Sequence, residues 1–158
     1  MENIHAYRLI RNDQDLPMLV TEKTIEYQNQ AEVICPQVIV DVLQDVFNVN
    51  KQTEESTFLI TLDANRISGV FEMSRGSADR CICDLRGLFT RVLLTTAPVA
   101  FVTAHNHPSN TNKTSPSDMD IAIVERIKEA AKVFGLNYFD NIIIGRNDYL
   151  SFRNEGLL

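Results

Sequence analysis

The sequence of 158 residues lacks several features that would assign its class at once. No apolar run approaches the roughly 20 residues that a membrane-spanning helix needs. The first residues carry neither the basic start nor the apolar stretch of a signal peptide, so we expect a cytoplasmic location without membrane association. No internal repeat is visible. The hydrophobic fraction of 44% is ordinary for a globular protein, and the length suffices for one domain with its own core.

Positive charge and cysteine are also scarce. The net charge is −6 and no basic run is present, which argues against a broad nucleic-acid surface. The three cysteines, Cys35, Cys81 and Cys83, are an odd number in a chain without secretory features, so no disulfide framework is expected. A structural zinc site usually needs four ligands, and Cys81 and Cys83 have no second pair. We therefore interpret them as ordinary thiols, one buried and one exposed.

The pattern of apolar residues predicts helices and strands that alternate along the chain. Apolar residues recur at helical spacing after Pro36, after Asp84 and after Ser115-Pro116, where Ser115 is the expected N-cap and Pro116 the first helical residue. The predicted strands are residues 4–10, 57–62, 66–73, 99–103, 141–144 and 149–152. The polar segment from His105 to Ser115 is expected to be a loop. Interleaved strands and helices predict an α/β sandwich with a mixed sheet.

The stretch with most chemical content is Ala-His-Asn-His-Pro-Ser at residues 104–109. Histidines two residues apart in an extended segment point to the same side, so His105 and His107 can converge on one metal ion. The next helix offers the carboxylates Asp118 and Asp120 in its first turn, where the helix dipole favours them. Two histidines and one aspartate suit zinc, and three protein ligands leave a position for water, as in a catalytic site.

Such a site also needs a general base, and a nearby glutamate is the expected residue. Three glutamates upstream are candidates, namely Glu54, Glu55 and Glu72. Glu55 stands at the entrance of the predicted strand 57–62, and Glu72 stands at the exit of the next strand. The residues alone leave this choice open.

The run His-Asn-His-Pro-Ser at residues 105–109, followed by Pro-Ser-x-x-Asp-Ile at residues 116–121, resembles the JAMM (MPN+, JAB) metalloprotease motif in its bacterial RadC-like form. The likeness extends to Glu55 with residues 57–63, to Asp-Asn-Ile-Ile-Ile-Gly at 140–145 and to Tyr-Leu-Ser-Phe at 149–152. It covers residues 50–158. Residues 1–49 are then expected to be an N-terminal strand and helix segment packed on this RadC-like JAB/MPN domain, with one domain overall.

The resemblance implies a fold, an activity and a set of site residues. The fold would be the cytidine-deaminase-like α-β-α sandwich of JAMM domains. The zinc ligands would be His105, His107 and Asp120, Glu55 would be the general acid/base, and Ser117 would help to polarise the scissile carbonyl. Since JAMM enzymes cleave peptide or isopeptide bonds, the expected partner is a protein or peptide substrate, and the expected cofactor is Zn²⁺.

Departures from the family pattern keep some alternatives open. If Asp120 is the ligand, the loop between His107 and Pro116 is two residues longer than usual, whereas Asp118 stands at the usual distance from His107. We favour Asp120 because the residues downstream then align without a break. Thr57 stands where the family usually carries phenylalanine, so Glu54 stays open beside Glu55 as the general base.

A second hypothesis treats the chain as a catalytically silent or DNA-repair-associated MPN module that uses the fold for binding. The complete set of one glutamate, two histidines, one serine and one aspartate favours the enzyme over this module. The acidic charge also argues against nucleic acid as a partner. An exposed sheet edge would permit a homodimer.

Overall fold

A seven-stranded mixed sheet with helices on both faces organises the structure, a computed structural model that describes residues 2–27, 32–76, 84–95, 100–108 and 114–158. The strands are β1 (Glu2–Arg11), β2 (Pro17–Tyr27), β3 (Glu55–Asp63), β4 (Arg66–Gly76), β5 (Ala100–Asn106), β6 (Asn137–Ile144) and β7 (Tyr149–Ser151). The helices are α1 (Pro36–Phe47), α2 (Leu85–Leu94) and α3 (Asp118–Val133). The strand order is β2-β1-β4-β3-β5-β6-β7. The predicted α-β-α sandwich with a mixed sheet is confirmed.

Helix α1 covers one face of the sheet because its apolar residues recur on a single side. Pro36 occupies the start of the helix, where its missing N–H removes no hydrogen bond, and Asn48 ends the helix in the left-handed conformation. Its buried side chains pack against strand residues that point to the same side of the sheet, among them Phe58, Val102 and Ile142. This cluster forms the first half of the core.

Helices α2 and α3 cover the opposite face. Their inward residues, including Leu88, Val92 and Ile127, pack against Phe101 and Ile143 of the central strands. Residues 101 and 102 therefore belong to different halves of the core, as the two-residue period of a buried strand requires. Every residue of β5 is buried, because this interior strand contributes side chains to both halves of the core.

The turn between β3 and β4 is the hairpin that Asp63-Ala64-Asn65 predicts. Ala64 and Asn65 both have positive φ, at 45° and 67°, which is the conformation of a two-residue loop whose twist matches that of the strands. This hairpin sets the antiparallel register of β3 on β4. It therefore also determines the position of Glu55 at the start of β3.

Two of the predicted boundaries near the histidines are wrong. His105 and Asn106 belong to β5 instead of a loop, because β3 pairs with the strand on one side and β6 pairs with it on the other. Helix α3 begins at Asp118 with Ser117 as its N-cap, so Ser115 is not the cap. The side chains of Ser117 and Asp120 form a capping box there, which stabilises this start over the earlier one.

Strand β2 is not predicted from the sequence. Residues 18–34 show no clear sequence pattern, and most of them form the second strand of the β1–β2 hairpin at the edge of the sheet. Cys81 and Cys83 lie outside the described residues. Across the described ranges, no helix has both the length and the apolar character to span a membrane.

The packing of α1 gives a stability prediction. Leu43 is fully buried at 0% exposure, so Leu43→Ala should lower the free energy of unfolding by about 2–5 kcal/mol through lost burial and a residual cavity. Leu93→Ala on α2 is the control, because that side chain is 53% exposed and should change stability by less than about 0.5 kcal/mol. Urea denaturation measures both. Equal losses in the two variants would contradict the assigned core.

Candidate metal centre

The end of strand β5 brings two imidazoles together. The strand alternation sends His105 and His107 to the face covered by α2 and α3, and their Nε2 atoms lie 3.1 Å apart. His105 is buried, while His107 is half-buried at the point where the strand ends. The backbone N–H of His107 donates to the carbonyl of Ile144 at 2.8 Å, which extends the ladder with β6 and holds this end in place.

Asp120 adds a carboxylate from the first turn of α3. Its Oδ1 lies 3.3 Å from His105 Nε2, and its side chain is only 18% exposed. Its Oδ2 accepts hydrogen bonds from both the backbone N–H and the hydroxyl of Ser117, each at 2.7 Å. One oxygen therefore belongs to the capping box, and the other faces the histidine pair.

Glu55 reaches the same place from the neighbouring strand. Thr57 pairs with His105 in the antiparallel register of β3 and β5, so Glu55 comes level with His107. One carboxylate oxygen of Glu55 and one ring nitrogen of each histidine all lie within 4.8 Å of one another. Burial raises the pKa of the Glu55 carboxyl above its ordinary value of 4.5, His107 counteracts this rise, and Asp120 adds to it.

Burial also keeps His105 neutral. It lowers the pKa of His105 from 6.5 to about 4, although the nearby Asp120 carboxylate opposes the shift and His107 adds to it. At neutral pH the ring therefore has one nitrogen without a proton. This is the protonation state that a metal ligand requires.

Two distances around His105 Nε2 match the spacing between ligands of a tetrahedral metal site. Ligand atoms placed about 2.0–2.1 Å from a zinc ion at tetrahedral angles lie about 3.3 Å from one another. The distances from His105 Nε2 to His107 Nε2 and to Asp120 Oδ1 are 3.1 and 3.3 Å. The residues whose ligand atoms converge within 4.8 Å of one another are Glu55, His105 and His107, and Asp120 approaches this group at His105.

The other predicted candidates lie elsewhere. Glu54 and Asp118 are exposed. Glu72 bonds to Arg75 Nε at 2.8 Å and accepts from Ser56 Oγ at 3.4 Å, and the Ser56 side chain points to the α1 face, away from the histidines. The Ser117 hydroxyl is engaged with Asp120 in the capping box, so its part in catalysis stays a prediction.

Asn106 is a residue of this region that the sequence reasoning missed. It lies between the two histidines, points to the opposite face and is 2% exposed. Its Oδ1 accepts from the backbone N–H of Ser56 at 2.6 Å, and its Nδ2 donates to the carbonyl of Glu54 at 3.1 Å and to that of Val49 at 3.5 Å. The amide thereby holds the backbone on both sides of Glu55. The signal was available, because a polar residue on the inward face of a buried strand must find partners.

A cavity of about 190 Å³ opens beside the histidine pair on the same face of the sheet. It lies between the sheet and helices α2 and α3, and both His105 and Glu55 line it. Apolar side chains from α3 form much of its wall. The centre is therefore accessible from a space of side-chain size.

Fold and site together define an α/β sandwich domain of the JAB type. The chain belongs to the RadC-like JAB domain family, whose family model matches residues 33–157 and thus most of the chain, α1 included. The proposed division at residue 49 stays a prediction.

Curated relatives agree with this assignment. A UPF0758 protein of Pelobacter propionicus is 39% identical over 105 residues, which is 66% of this chain and 44% of that protein. A UPF0758 protein of Thermotoga maritima is 32% identical over 128 residues, which is 76% of this chain and 56% of that protein. A UPF0758 protein of Coprothermobacter proteolyticus is 29% identical over 136 residues, which is 84% of this chain and 57% of that protein. The chain spans about half the length of these curated relatives.

The Asn106 network gives a local prediction. Asn106→Ala should lower the free energy of unfolding by about 2–4 kcal/mol, because buried backbone groups at Ser56 and Glu54 lose their partner. Hydrogen exchange followed by NMR should show a larger rise in exchange rate for the Ser56 amide than for the amides of Phe58 and Leu59, which report the global loss of stability. Asn137→Ala is the matched control, since Asn137 is exposed. An unaltered Ser56 amide would contradict the assigned role.

The lowered pKa of His105 predicts how stability depends on pH. Between pH 6.5 and 4 the unfolded chain binds a proton at this residue that the folded chain does not. The contribution of His105 to the free energy of unfolding is therefore complete above pH 6.5 and declines as the pH falls. Between pH 7 and 4.5 the metal-free protein should lose roughly 2–3 kcal/mol of stability from this residue. Urea denaturation at pH 7 and at pH 4.5 measures this loss. The free energy of unfolding should change less between the two pH values in His105→Gln than in the control His5→Gln. Identical differences in the two variants would refute the prediction.

Proposed function

We propose that this chain is a zinc-dependent hydrolase that cleaves a peptide or isopeptide bond. The observation that carries the proposal is the spacing of 3.1 and 3.3 Å around His105 Nε2, which fits the ligand-to-ligand distances of tetrahedral zinc. Membership of the RadC-like JAB domain family is consistent with it. The proposed ligands are His105, His107 and Asp120. When bound, zinc would supply a Lewis acid that polarises a carbonyl group and acidifies water.

The surrounding groups suit ligand and base roles of different kinds. Asp120 has one oxygen fixed by the Ser117 cap, which leaves the other in one orientation toward His105. A ligand held in this way loses little freedom on metal binding. His105 is neutral at physiological pH. These features favour Asp120 over the exposed Asp118 as the third ligand.

Glu55 is the proposed general base. Its carboxylate lies beside the histidines and, unlike that of Asp120, takes no part in a helix cap. Its pKa is raised toward neutral pH, where a group can both accept and release a proton efficiently. In the proposed reaction Glu55 takes a proton from the attacking water. It then delivers that proton to the nitrogen of the leaving amine. The hydrogen bonds of Asn106 to Ser56 and Glu54 keep the carboxylate in range.

Metal content tests the ligand set. We expect about one zinc per chain in the wild type and little zinc in His105→Ala and Asp120→Ala, measured by elemental analysis after dialysis. Asp118→Ala is the matched control, because it removes a carboxylate of the same helix turn and should keep its zinc. Loss of zinc in Asp118→Ala alone would move the third ligand to Asp118. Absence of zinc from the wild type after metal addition would refute the proposal.

Glu55→Gln separates metal binding from catalysis. The amide keeps the shape of the side chain but cannot carry the proton, so zinc should be retained while hydrolysis of a fluorogenic peptide library falls about 100-fold or more. Glu54→Gln is the control and should keep both. Equal loss of zinc in Glu55→Gln would make Glu55 a ligand instead of a base. Full zinc without hydrolysis in the wild type, together with salt-dependent DNA binding, would favour the binding module.

A further inference from the structure

The side-chain N–H of one buried amide next to the candidate metal centre has no acceptor in the part of the chain that the structure describes. Asn141 on β6 is 4% exposed and lines the cavity beside His105. Its Oδ1 accepts from the Thr103 hydroxyl at 2.7 Å, whereas no acceptor among the described residues lies within hydrogen-bond distance of its Nδ2. That nitrogen has less than 1 Å² of accessible surface, so the amide has to turn slightly for its N–H to reach an occupant of the cavity. A buried N–H donor without an acceptor is destabilising, so its presence at this position calls for an explanation.

The distance from the histidines to Asn141 defines the length of the side chain that the cavity can accept. Asn141 pairs with Thr103 in the parallel register of β5 and β6, and Thr103 precedes His105 by two residues on the same face. At about 3.3 Å per residue, the amide therefore lies about 7 Å along the strand from the metal centre. An extended side chain of glutamine length, attached to a backbone that lies over the metal centre, spans this interval.

The walls of the cavity define its chemistry. Its volume of about 190 Å³ suits one medium-sized side chain, and Met73, Ile123 and Ile127 supply apolar contacts for the stem of such a group. Three carboxylates, those of Glu55, Asp84 and Asp120, and the guanidinium of Arg91 also line it.

Charge and hydrogen bonding restrict the tip of the occupant. With a doubly charged zinc ion in place, its charge and that of the guanidinium together cancel the charges of the three carboxylates of the lining. The cavity therefore favours an uncharged occupant. A glutamate would meet the carboxylates, and a lysine cannot accept a hydrogen bond from Asn141 Nδ2. The remaining class is a neutral side chain that ends in a hydrogen-bond acceptor.

We propose that this cavity is the binding pocket for a substrate side chain next to the cleaved bond, and that it selects a glutamine-like chain whose amide oxygen accepts from Asn141 Nδ2. The inference rests on the proposed function, because it assumes that the backbone of the substrate lies over the metal centre. Discrimination of this kind is strong, since an analogue without the acceptor leaves the buried donor unpaired.

Amino-acid hydroxamates test the pocket on the zinc-loaded full chain. The hydroxamate group chelates the metal in every probe, so differences in affinity report on the side chain. We expect glutamine hydroxamate to bind about tenfold more tightly than norleucine hydroxamate, which has similar length and no acceptor, and more tightly than the hydroxamate of glutamate. Isothermal calorimetry measures the dissociation constants. Equal affinity for the glutamine and norleucine probes would overturn the pocket.

A variant then ties the preference to the proposed donor. Asn141→Leu keeps the approximate volume but removes the N–H, so the preference for glutamine hydroxamate should vanish while norleucine hydroxamate binds at least as well. Asn137→Leu is the matched control, because Asn137 is exposed on the same strand and its loss should leave the preference intact. A preference that persists in Asn141→Leu would overturn the assignment. If that variant does not fold, the wild-type series and the NMR shift of the Asn141 side-chain amide on adding each probe decide the question.

Acetohydroxamate distinguishes failure of the pocket from failure of the proposed function. It carries the chelating group without a side chain. If acetohydroxamate binds and the glutamine probe gains nothing over it, the pocket is refuted and the metal site stands. If no hydroxamate binds the zinc-loaded protein, the accessible metal site is refuted, and the pocket proposal fails with it.

Discussion

The two-residue alternation of strand β5 is the constraint on which the site depends. The strand is buried along its whole length between β3 and β6, so each side chain must serve one half of the core or find polar partners. His105 and His107 fall on the α2 and α3 face, where a cavity and a helix start offer them ligand-competent neighbours. Asn106 falls on the α1 face, where it bonds the backbone on either side of Glu55. A shift of one residue in register would bury both imidazoles against α1 and separate them from the carboxylates.

Asp120 links this strand end to helix α3. A carboxylate at the third position of a helix stabilises the helix through its cap, and this one also has an oxygen within 3.3 Å of His105. The same residue thus serves both local folding and the geometry of the candidate site. Small zinc domains differ, because in them the metal itself drives folding. Here the core clusters on both faces of the sheet supply the framework.

Much of the fold was readable from sequence because strong periodicity coincided with clear end signals. Pro36 with its apolar face predicted α1, and Asp63–Asn65 predicted the β3–β4 hairpin. Strand β5 was predicted too short, because polar composition argued for a loop at His105 while pairing on both sides overrode it. The edge strand β2 was missed, since its mostly exposed residues carry little hydrophobic pattern. The sequence could not show that Asn141 Nδ2 has no acceptor among the described residues, because the partners of a buried group are a tertiary property.

The unusual spacing between the histidines and the proposed aspartate ligand also has a physical explanation. Sequence distance from His107 favours Asp118, but a ligand on a helix is positioned by where the helix begins. The capping box fixes that start at Ser117, which makes Asp120 the residue whose carboxylate turns back toward the strand end and leaves Asp118 exposed. Two additional residues in a connecting loop change the closure entropy only slightly. Distance from the helix cap therefore indicates better than distance from the histidine pair which aspartate lies beside His105.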